Sequence, residues 1–419
     1  MRIVKMMMIT ALIAAMGTVA YAELQSVQVG GQIRIRGNYY VGDDTKTNDI
    51  SFVEQRTRLN VKADFTDDVT AFIELDSYDV WGEDFRSNYV TGVDARAASV
   101  DDVEVYQAYI EAKNMWGTGL ELKVGRQELA LGSQWLVGVN DKSQLFRGLS
   151  FDALKLGYVM EDYFRVHVFW AKLAESFGDM LHSDIDLYGI YGTLTMIENV
   201  EIDAYYLYLR NDLNYPGKAD NVHTIGVRAG GEVIGIDFEA EAAFQFGDDK
   251  SRLSTNFGGN LEVGYTVDLD PMSLRPFAGF ACFIDCGKDF FGRPDAGFNR
   301  LFSNWEYSEF IDHTTLSNAY IPRLGVDFSP HESIDLRLLG TYIRAEQPQR
   351  RDKTAAWEMG IHGEYRYTED LAFRAGFAKM WVQDGIQRGY PLVLNGTAAF
   401  NPRGSEHLYY SYLETEIKF

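Results

Sequence analysis

Short segments in which apolar and polar residues alternate recur along nearly the whole chain. In SFVEQRTRLNVKADF, residues 51 to 65, one parity is mainly apolar, whereas the other carries Glu54, Arg56, Arg58 and Lys62. Successive side chains of a β-strand point to opposite faces, so this segment predicts a strand with one apolar and one charged face. A chain built from such strands needs an apolar surrounding on one side and water on the other.

Eighteen segments of this kind can be counted, and the gaps between them alternate in length. Short gaps such as 66 to 68 and 368 to 370 take turns with long ones at 79 to 102, 132 to 149 and 383 to 406. Outer-membrane barrels have short periplasmic turns and long extracellular loops. Lipid offers no partners to backbone N–H and C=O groups, so the strands must close into a ring without edges. We therefore predict an all-β fold, a single transmembrane antiparallel β-barrel of about 18 strands.

Soluble sandwiches, solenoids and propellers are the competing all-β architectures. After residue 22 no stretch approaches the ~18 consecutive apolar residues of a membrane helix, so the sequence predicts no transmembrane helix in that part of the chain. Aromatic residues make up 14% of the chain, and barrels place such residues in girdles at both membrane interfaces. Soluble folds have no reason to keep one end of every hairpin short, so the barrel is favoured.

The N-terminus predicts export from the cytoplasm. Arg2 and Lys5 precede an apolar run from Met6 to Ala20, and Ala20-Tyr21-Ala22 has the small-x-small form of a cleavage site. These features are typical of a secretory signal peptide. We expect residues 1–22 to be the signal peptide and residues 23–419 to form one barrel domain in the outer membrane of a Gram-negative-type bacterium.

Several charged residues share the parity that faces water, which in a barrel is the lumen. The residues of this parity that are predicted to form a solute track are Arg34, Arg36, Arg56, Arg58, Glu74, Asp76, Arg165, Arg228, Arg323, Arg337 and Arg366. Lys123 and Lys155 share this parity. Guanidinium groups bind carboxylates bidentately, so the set is interpreted as a basic path for an anionic or hydroxyl-rich solute. A purely structural lattice of ion pairs is the alternative.

Hairpin symmetry gives an expected register for the first three strands. A first loop centred near Lys46 puts Arg36 opposite Arg56 and Arg34 opposite Arg58, both unfavourable pairs of like charge. The tight turn at Asp67 puts Asp76 opposite Arg58 and Glu74 opposite Asn60. The acids of the third strand then offset part of the repulsion.

One stretch carries a family resemblance. VGRQELALGSQWLVG, residues 124 to 138, followed by Arg147 and FDALKLGY, resembles the alginate export family of outer-membrane proteins. SFVEQRTRLN, VYQAYIE and LGVDFSPHESIDLRLLGTYIRAEQ add to the resemblance. It implies an eighteen-stranded barrel whose basic, constricted lumen passes a polyuronate, and it implies that Arg56, Arg58 and Arg126 contribute to the solute track. Trp135 departs from the family pattern, which commonly has a basic residue there.

Two further features concern the longest gap, 284 to 320. Cys282 and Cys286 are four residues apart, which is roughly 13 Å in a straight strand and beyond the ~7 Å limit for a disulfide. A bend at Asp285 would allow the pair to form, so a disulfide between them is a possibility. The gap itself is rich in aromatic residues, and it either folds into the barrel mouth as a constriction or forms a surface lobe.

No catalytic, metal or nucleotide motif is present in the sequence, and the seven His are scattered singly. We expect no enzyme activity, no cofactor and no nucleic-acid partner. The expected partners are outer-membrane lipid and lipopolysaccharide, an anionic saccharide or small solute, and the outer-membrane assembly machinery, which would read the terminal Phe419. The function predicted is a passive channel for anionic or hydroxylated solutes, with a general diffusion porin or a scaffold barrel with a plugged lumen as alternatives.

Overall fold

The structure, a computed structural model, describes residues 24–43, 49–82, 103–141, 146, 148–160, 162–175, 184–212, 220–247, 256–284, 298–311, 316, 318–345, 354–383, 392–394, 398–400 and 406–419. Within these residues no helix is long and apolar enough to cross a membrane. The predicted signal peptide, residues 1–22, lies outside the described part of the chain and remains a prediction.

The described residues form twenty-one strands. Their bounds are β1 Ser26–Gly42, β2 Ile50–Thr66, β3 Val69–Val80, β4 Glu104–Met115, β5 Leu120–Gln127, β6 Phe151–Met160, β7 Phe164–Ala174, β8 Ile185–Ile197, β9 Val200–Asn211, β10 Asp220–Val233, β11 Ile236–Gly247, β12 Asn256–Tyr265, β13 Val267–Asp268, β14 Ser273–Ile284, β15 Ala319–His331, β16 Ile334–Ala345, β17 Thr354–Arg366, β18 Leu371–Val382, β19 Leu392–Leu394, β20 Ala398–Phe400 and β21 His407–Lys418. β13 only continues β12, and β19 pairs with β20 alone.

The other eighteen strands close into an antiparallel barrel. Each pairs with its neighbour along the chain, and β21 returns to pair with β1, with Thr415 opposite Ile35. The turns at one end are short, as at 67–68, and the connections at the other end are long, as at 128–150. We call these the short-turn end and the long-loop end. The predicted fold class, strand number and alternation of turns and loops are confirmed.

The two faces of the wall differ as the alternation predicts. On β11 the outward parity holds Phe244, which is 54% exposed, and Phe246, also exposed, whereas Glu241 and Gln245 point inward and are buried. Toward the long-loop end the inward parity is apolar instead, with Phe283, Ile321 and Ile343 fully buried. Apolar residues inside a barrel need a partner in the lumen. Two loop segments described below provide it.

Strand bounds differ most where glycine or loop residues interrupt the alternation. The alternation that starts at Leu120 runs on to Leu131 in the sequence, but β5 ends at Gln127, because the chain leaves the wall there and carries Leu129 and Leu131 into the interior. The alternation that covers residues 222 to 229 stops at Ala229, whereas β10 continues through Gly230 and Gly231 to Val233. Glycine has no side chain to mark a parity, so the pattern stops before the strand does.

The register of the first hairpin is a correction. Arg34 lies opposite Arg56 and Arg36 opposite Glu54, a shift of two residues from the prediction, because Tyr40 pairs with Ile50 and the loop is centred one residue earlier. The observed register replaces one pair of like charges with an arginine–glutamate pair. Between β2 and β3 the predicted register is confirmed, with Asp76 opposite Arg58 and Glu74 opposite Asn60.

Candidate functional site

Two segments from the long loops enter the lumen and join each other. We call residues 128–141 the first inward segment and residues 298–311 the second inward segment. They pair through a bridge between Val137 and Phe302. The backbone N–H of Gly138 donates to the Phe302 carbonyl at 2.9 Å, and that of Asn304 donates to the Gln134 carbonyl at 2.9 Å. The described part of the gap 284 to 320 therefore folds into the barrel rather than forming a surface lobe.

Trp135 is the centre of this junction and is fully buried. Its ring stacks on Phe298 at 5.7 Å and on the wall residue Phe283 at 6.2 Å, measured between centroids. Its indole N–H donates to the Tyr307 hydroxyl at 2.9 Å, and that hydroxyl donates to Asn260 Oδ1 on β12 at 3.0 Å. The site is lined by aromatic rings and offers one hydrogen-bond acceptor to the indole N–H, which explains why tryptophan, rather than a basic residue, stands here.

The second inward segment also contacts two further strands of the wall, β17 and β1. Ser308 Oγ donates to Glu358 Oε2 at 2.6 Å, and the Glu309 backbone N–H donates to Glu358 Oε1 at 2.8 Å. Glu309 Oε1 lies 3.1 Å from His362 Nε2 on β17. Phe310 packs edge-on against Tyr40 of β1, with ring centroids 6.4 Å apart. The segment thus spans the lumen between β14, β17 and β1.

The tip of the first inward segment contacts β8 to β11. Ser133 Oγ donates to Glu241 Oε2 at 2.9 Å. Gly132 has a φ of +52°, and a Cβ there would lie 2.2 Å from the Tyr191 hydroxyl oxygen. Positive φ and close approach both require glycine at this position. Glycine at position 132 therefore allows the tip of the first inward segment to pack closely against the wall.

Four of the predicted track arginines form a cluster under the first inward segment: Arg34, Arg36, Arg56 and Arg58. Asp141 at the end of that segment pairs with three of them, Oδ1 lying 2.7 Å from Arg56 Nη1 and 3.3 Å from Arg34 Nη1, and Oδ2 lying 3.3 Å from Arg58 Nη1. Arg36 and Arg56 are 0% exposed. Arg34, Arg56 and Arg58 hold the segment through Asp141, and none of the four guanidiniums is open to a solute in this conformation.

Acids of the wall complete the cluster. Glu414 lies 3.0 Å from Arg34 Nε and 2.5 Å from Arg36 Nη2, and Asp76 lies 3.5 Å from Arg58 Nε. The predicted track residue Glu74 instead accepts from the Gln107 side-chain amide at 2.9 Å. Phe146 packs over the cluster, its ring centroid 4.5 Å from the Arg34 Cζ. The buried charges are therefore paired, as burial requires.

The charge of Asp141 is maintained by its partners. Burial on its own raises the pKa of this carboxyl group. The positive charge of Arg56 and the hydrogen bond that Arg56 donates to the carboxylate lower the pKa, as do the charges of Arg58 and Arg34, and together they outweigh burial. The net effect is a pKa below the ordinary value of an aspartate. Asp141 is thus an anion whenever the segment is seated at neutral pH.

The remaining inward arginines form a ring of ion pairs toward the short-turn end, which we call the ion-pair ring. Its pairs are Arg165–Glu201, Arg228–Asp203, Arg228–Glu239, Arg275–Asp237, Arg275–Asp327, Arg323–Glu262, Arg337–Asp327, Arg366–Asp335, Arg366–Glu364 and Arg374–Glu364. The side chains of Arg337 and Arg366 are 50% and 43% exposed. The side chain of Arg165 is similarly exposed, at 42%. These three side chains are accessible from the lumen, unlike the arginine cluster.

A cavity of about 450 Å³ opens between the second inward segment and the wall from β15 to β21. Its lining combines the carboxylates Asp327, Asp335 and Glu364 with Arg337 and Arg374. Alternating donors and acceptors of this kind suit a solute that carries both kinds of group.

Arg126 is a second correction. It lies on the outward face of β5, where it makes two hydrogen bonds to Asp152 of β6, at 2.8 and 3.0 Å. The reason is strand phase, since Gly125 and Gln127 occupy the inward parity and Val124 and Arg126 the outward one. Arg126 therefore does not line the lumen.

The described residues include only one of the two cysteines of the predicted disulfide. Cys282 lies on the outward parity of β14, opposite Gly259 and Tyr320, and is buried. Cys286 lies outside the described residues, so the disulfide remains a prediction. Among the residues that the structure describes, no group of three or more His, Cys, Asp or Glu is placed to hold a metal ion.

Sequence reasoning missed Asp141, Ser133 and the contacts of Trp135. The only signal was composition, because the gap after β5 contains LALGSQWLVG, which is too apolar for an exposed loop. That signal indicates burial but names no partner on the wall.

The comparisons agree with this architecture. A family model described as alginate export matches residues 25–357. Solved structures with a similar fold include OpdO of Pseudomonas aeruginosa, with a TM-score of 0.62, 10% identity, and coverage of 95% of this chain and 98% of that chain. OccAB4 of Acinetobacter baumannii has a TM-score of 0.59 at 11% identity, covering 95% and 100%. OccK5 (OpdH) of Pseudomonas aeruginosa has a TM-score of 0.58 at 12% identity, covering 94% and 98%. No curated protein matches the sequence.

Proposed function

The chain belongs to the alginate export family of outer-membrane barrels, and we propose that it is a passive channel for hydroxyl-rich solutes, anionic saccharides among them. Transport, rather than catalysis, is the role that family and fold support. Residues 1–22 would direct export, and Phe419 would be read by the outer-membrane assembly machinery. Lipid and lipopolysaccharide would surround the apolar outer face.

The observation that supports this proposal is the ion-pair ring below the two inward segments. Each arginine of the ring already has a carboxylate partner, so the wall presents adjacent donors and acceptors rather than a uniformly positive field. Sugar hydroxyl groups both donate and accept, and can bind beside such pairs. The exposed guanidiniums of Arg337 and Arg366 could also take a solute carboxylate bidentately.

The solute track of this proposal differs from the one read from the sequence. Arg165, Arg337 and Arg366 are its accessible members, and Arg228 and Arg323 support them from more buried positions. Arg34, Arg56 and Arg58 instead hold the first inward segment in place, and Arg36 is buried beside them in a pair with Glu414. Narrowing by both inward segments would limit the size of the solute.

The test is single-channel recording in planar bilayers. The wild-type protein should conduct ions, and short galacturonate oligomers should block the current more than neutral malto-oligomers do. Arg337→Gln/Arg366→Gln should weaken the uronate block several-fold. Arg126→Gln is the matched control, because it removes an ion-paired arginine from the outer face of the same barrel. Equal block in the double variant and the wild type would contradict the proposed track.

A scaffold barrel with a plugged lumen is the second candidate. The observation that favours it is the pairing of the two inward segments in the lumen. Trp135, Phe298 and Tyr307 of these segments are fully buried and form an apolar core there. Such a barrel should show no ion current in the same recordings.

A further inference from the structure

Basic side chains on the outer face of the barrel near the long-loop end fall into two groups. On the wall from β5 to β9 they have carboxylate partners, and the pairs are Arg126–Asp152, Lys172–Asp186 and Arg210–Asp212. On the wall from β16 to β18, Arg344 and Lys379 also have the outward parity. Among the described residues, neither forms an ion pair or a side-chain hydrogen bond. A cation facing lipid is unfavourable without a partner, so these two positions favour a bound anion.

Lys379 lies among aromatic side chains of the outer face. Its ammonium nitrogen is 4.8 Å from the centroid of the Trp381 ring and 5.1 Å from that of Tyr409. Trp357, which faces Trp381 across the β17–β18 register, is 52% exposed and packs on Tyr342 with ring centroids 4.2 Å apart. Such aromatic residues mark the depth of the lipid headgroups. The rings contact the ammonium group but accept no ordinary hydrogen bonds from it, so its donors remain available.

The depth and spacing of the two cations indicate what they would bind. Outer-membrane barrels place their long loops outside the cell, so this end of the face meets the outer leaflet. β16 and β18 are two strand spacings apart, about 10 Å, and Arg344 lies further toward the loops than Lys379. A single phosphate group would not contact both. A lipid headgroup with two phosphate groups matches the pair better.

An apolar groove on the outer face begins beside Lys379 and runs toward the short-turn end. It consists of two adjoining clefts of about 550 and 540 Å³. Four residues on β21, β18, β17 and β16 form a row across it, in the order Leu413, Ala375, Gly363 and Leu336. The two small residues lie between the two leucines, so the surface is lowest over β18 and β17. The groove has the apolar lining that an acyl chain requires.

The groove and the cation belong to the same two strands. Phe377 of β18 and Ser411 of β21 line the long-loop end of the groove. Lys379 and Tyr409, which face each other, are the next outward residues of these strands. An acyl chain in the groove would therefore have its headgroup at Lys379. A second barrel packed on this face would instead bury an unpaired charge, which is costly.

An acid at the same end of the wall does not neutralise the site. Asp43 lies 4.0 Å from His407 Nε2 and accepts from the Glu406 backbone N–H at 3.0 Å. It forms no ion pair with Lys379. The charge of the site is therefore positive, as an anionic headgroup requires.

We infer that this groove and its two cations form a binding site for lipid A, the phosphorylated glycolipid that anchors lipopolysaccharide in the outer leaflet. An acyl chain would pack over Ala375 and Gly363. The Lys379 ammonium and the Arg344 guanidinium would each donate to one phosphate group. The inference concerns the outer face only, and it is independent of the solute that passes through the lumen.

The test is native mass spectrometry of the full-length protein in detergent, titrated with diphosphoryl lipid A, monophosphoryl lipid A or phosphatidylcholine. The wild type should bind the diphosphoryl form most tightly and phosphatidylcholine least. Lys379→Gln/Arg344→Gln should weaken binding of the diphosphoryl form about tenfold, as expected for the loss of two exposed ionic contacts, and should abolish its advantage over the monophosphoryl form. Lys172→Gln is the matched control, because it removes the same charge from an outward lysine that has carboxylate partners.

A second variant separates the groove from the charges. Ala375→Leu fills the groove and keeps both cations, so it should weaken binding of the two forms of lipid A by a similar factor. Unchanged affinity in the Lys379/Arg344 variant would overturn the site, as would equal losses in that variant and in Lys172→Gln. A wild-type dimer in detergent that Ala375→Leu dissociates would assign the groove to a second copy instead. The heat-induced shift in gel mobility, measured for each variant, restricts the comparison to folded barrels.

Discussion

Asp141 Oδ1 lies 2.7 Å from Arg56 Nη1, so an acid from a loop neutralises a fully buried guanidinium of the barrel wall. Arg34 lies directly opposite Arg56 in the sheet, and the same carboxylate reaches both. The wall alone would place these like charges face to face. The inward loop therefore does more than narrow the lumen, because it supplies the anion that makes this part of the wall stable.

Replacing Asp141 with asparagine should release the first inward segment. The variant leaves the fully buried Arg56 guanidinium without its anion, whereas Arg34 and Arg58 keep Glu414 and Asp76. Removing one partner of a buried pair costs about 3–5 kcal/mol. We expect larger and noisier single-channel currents and a lower temperature for the heat-induced shift in gel mobility. Asp152→Asn breaks the exposed pair with Arg126 on the outer face and should cost no more than about 1 kcal/mol. Equal effects of the two variants would contradict the anchoring role.

Acid should release the same segment only well below neutral pH. The pKa of Asp141 is lowered in the folded state, so its stabilisation is complete above the ordinary aspartate pKa of ~3.9 and is lost as pH falls through the folded value. Single-channel current should therefore be insensitive to this group from about pH 8 to pH 5 and should change in more acidic buffer. Asp141→Asn should remove that acid transition, which recordings across the pH range would show.

Truncating Trp135 should loosen the junction of the inward segments. Trp135→Ala removes a fully buried ring and its bond to Tyr307, and such truncations cost about 3–5 kcal/mol. We expect a higher conductance and faster passage of malto-oligomers through the lumen in liposome swelling. Trp116→Ala, at a short turn where the side chain is 76% exposed, is the control and should change neither quantity.

The strands were predictable because lipid and water impose opposite demands on alternate residues. The prediction is weaker where that demand weakens. The alternating pattern stops at the glycines that β10 runs through, and loop symmetry placed the first register two residues away from the observed one. Arg126 is different, because the alternation of Leu120, Leu122 and Val124 already placed it on the outer face. The resemblance to the family motif points to the lumen, but strand phase determines which face Arg126 occupies.

The contacts of the inward segments follow no such rule. Asp141, Ser133 and Trp135 find partners on distant strands, and a loop without periodicity carries no information about which wall it meets. The lumen arginines were identified by parity, but parity does not tell a guanidinium covered by a loop, such as Arg56, from an accessible one, such as Arg337.

The C-terminal residue closes the barrel seam, and two variants separate its possible roles. The Phe419 N–H donates to the Gly31 carbonyl at 3.1 Å and the Gly31 N–H donates to the Phe419 carbonyl at 2.8 Å. The Phe419 ring covers Gly31, where a Cβ would lie 2.6 Å from its Cζ atom. Gly31→Val should displace the ring and lower the temperature of the heat-induced mobility shift.

Gly37→Val is the control for that substitution, because Gly37 lies on the same face of β1 and a Cβ there would have its nearest neighbouring atom, Val53 Cγ2, at 4.0 Å. Phe419→Ala keeps both backbone hydrogen bonds and removes only the ring. If the assembly machinery reads that ring, the variant should reach the outer membrane in several-fold lower amounts, as measured by surface labelling, while the barrels that do assemble keep nearly the wild-type melting temperature. A normal yield with a lowered melting temperature would instead assign the ring to seam packing alone.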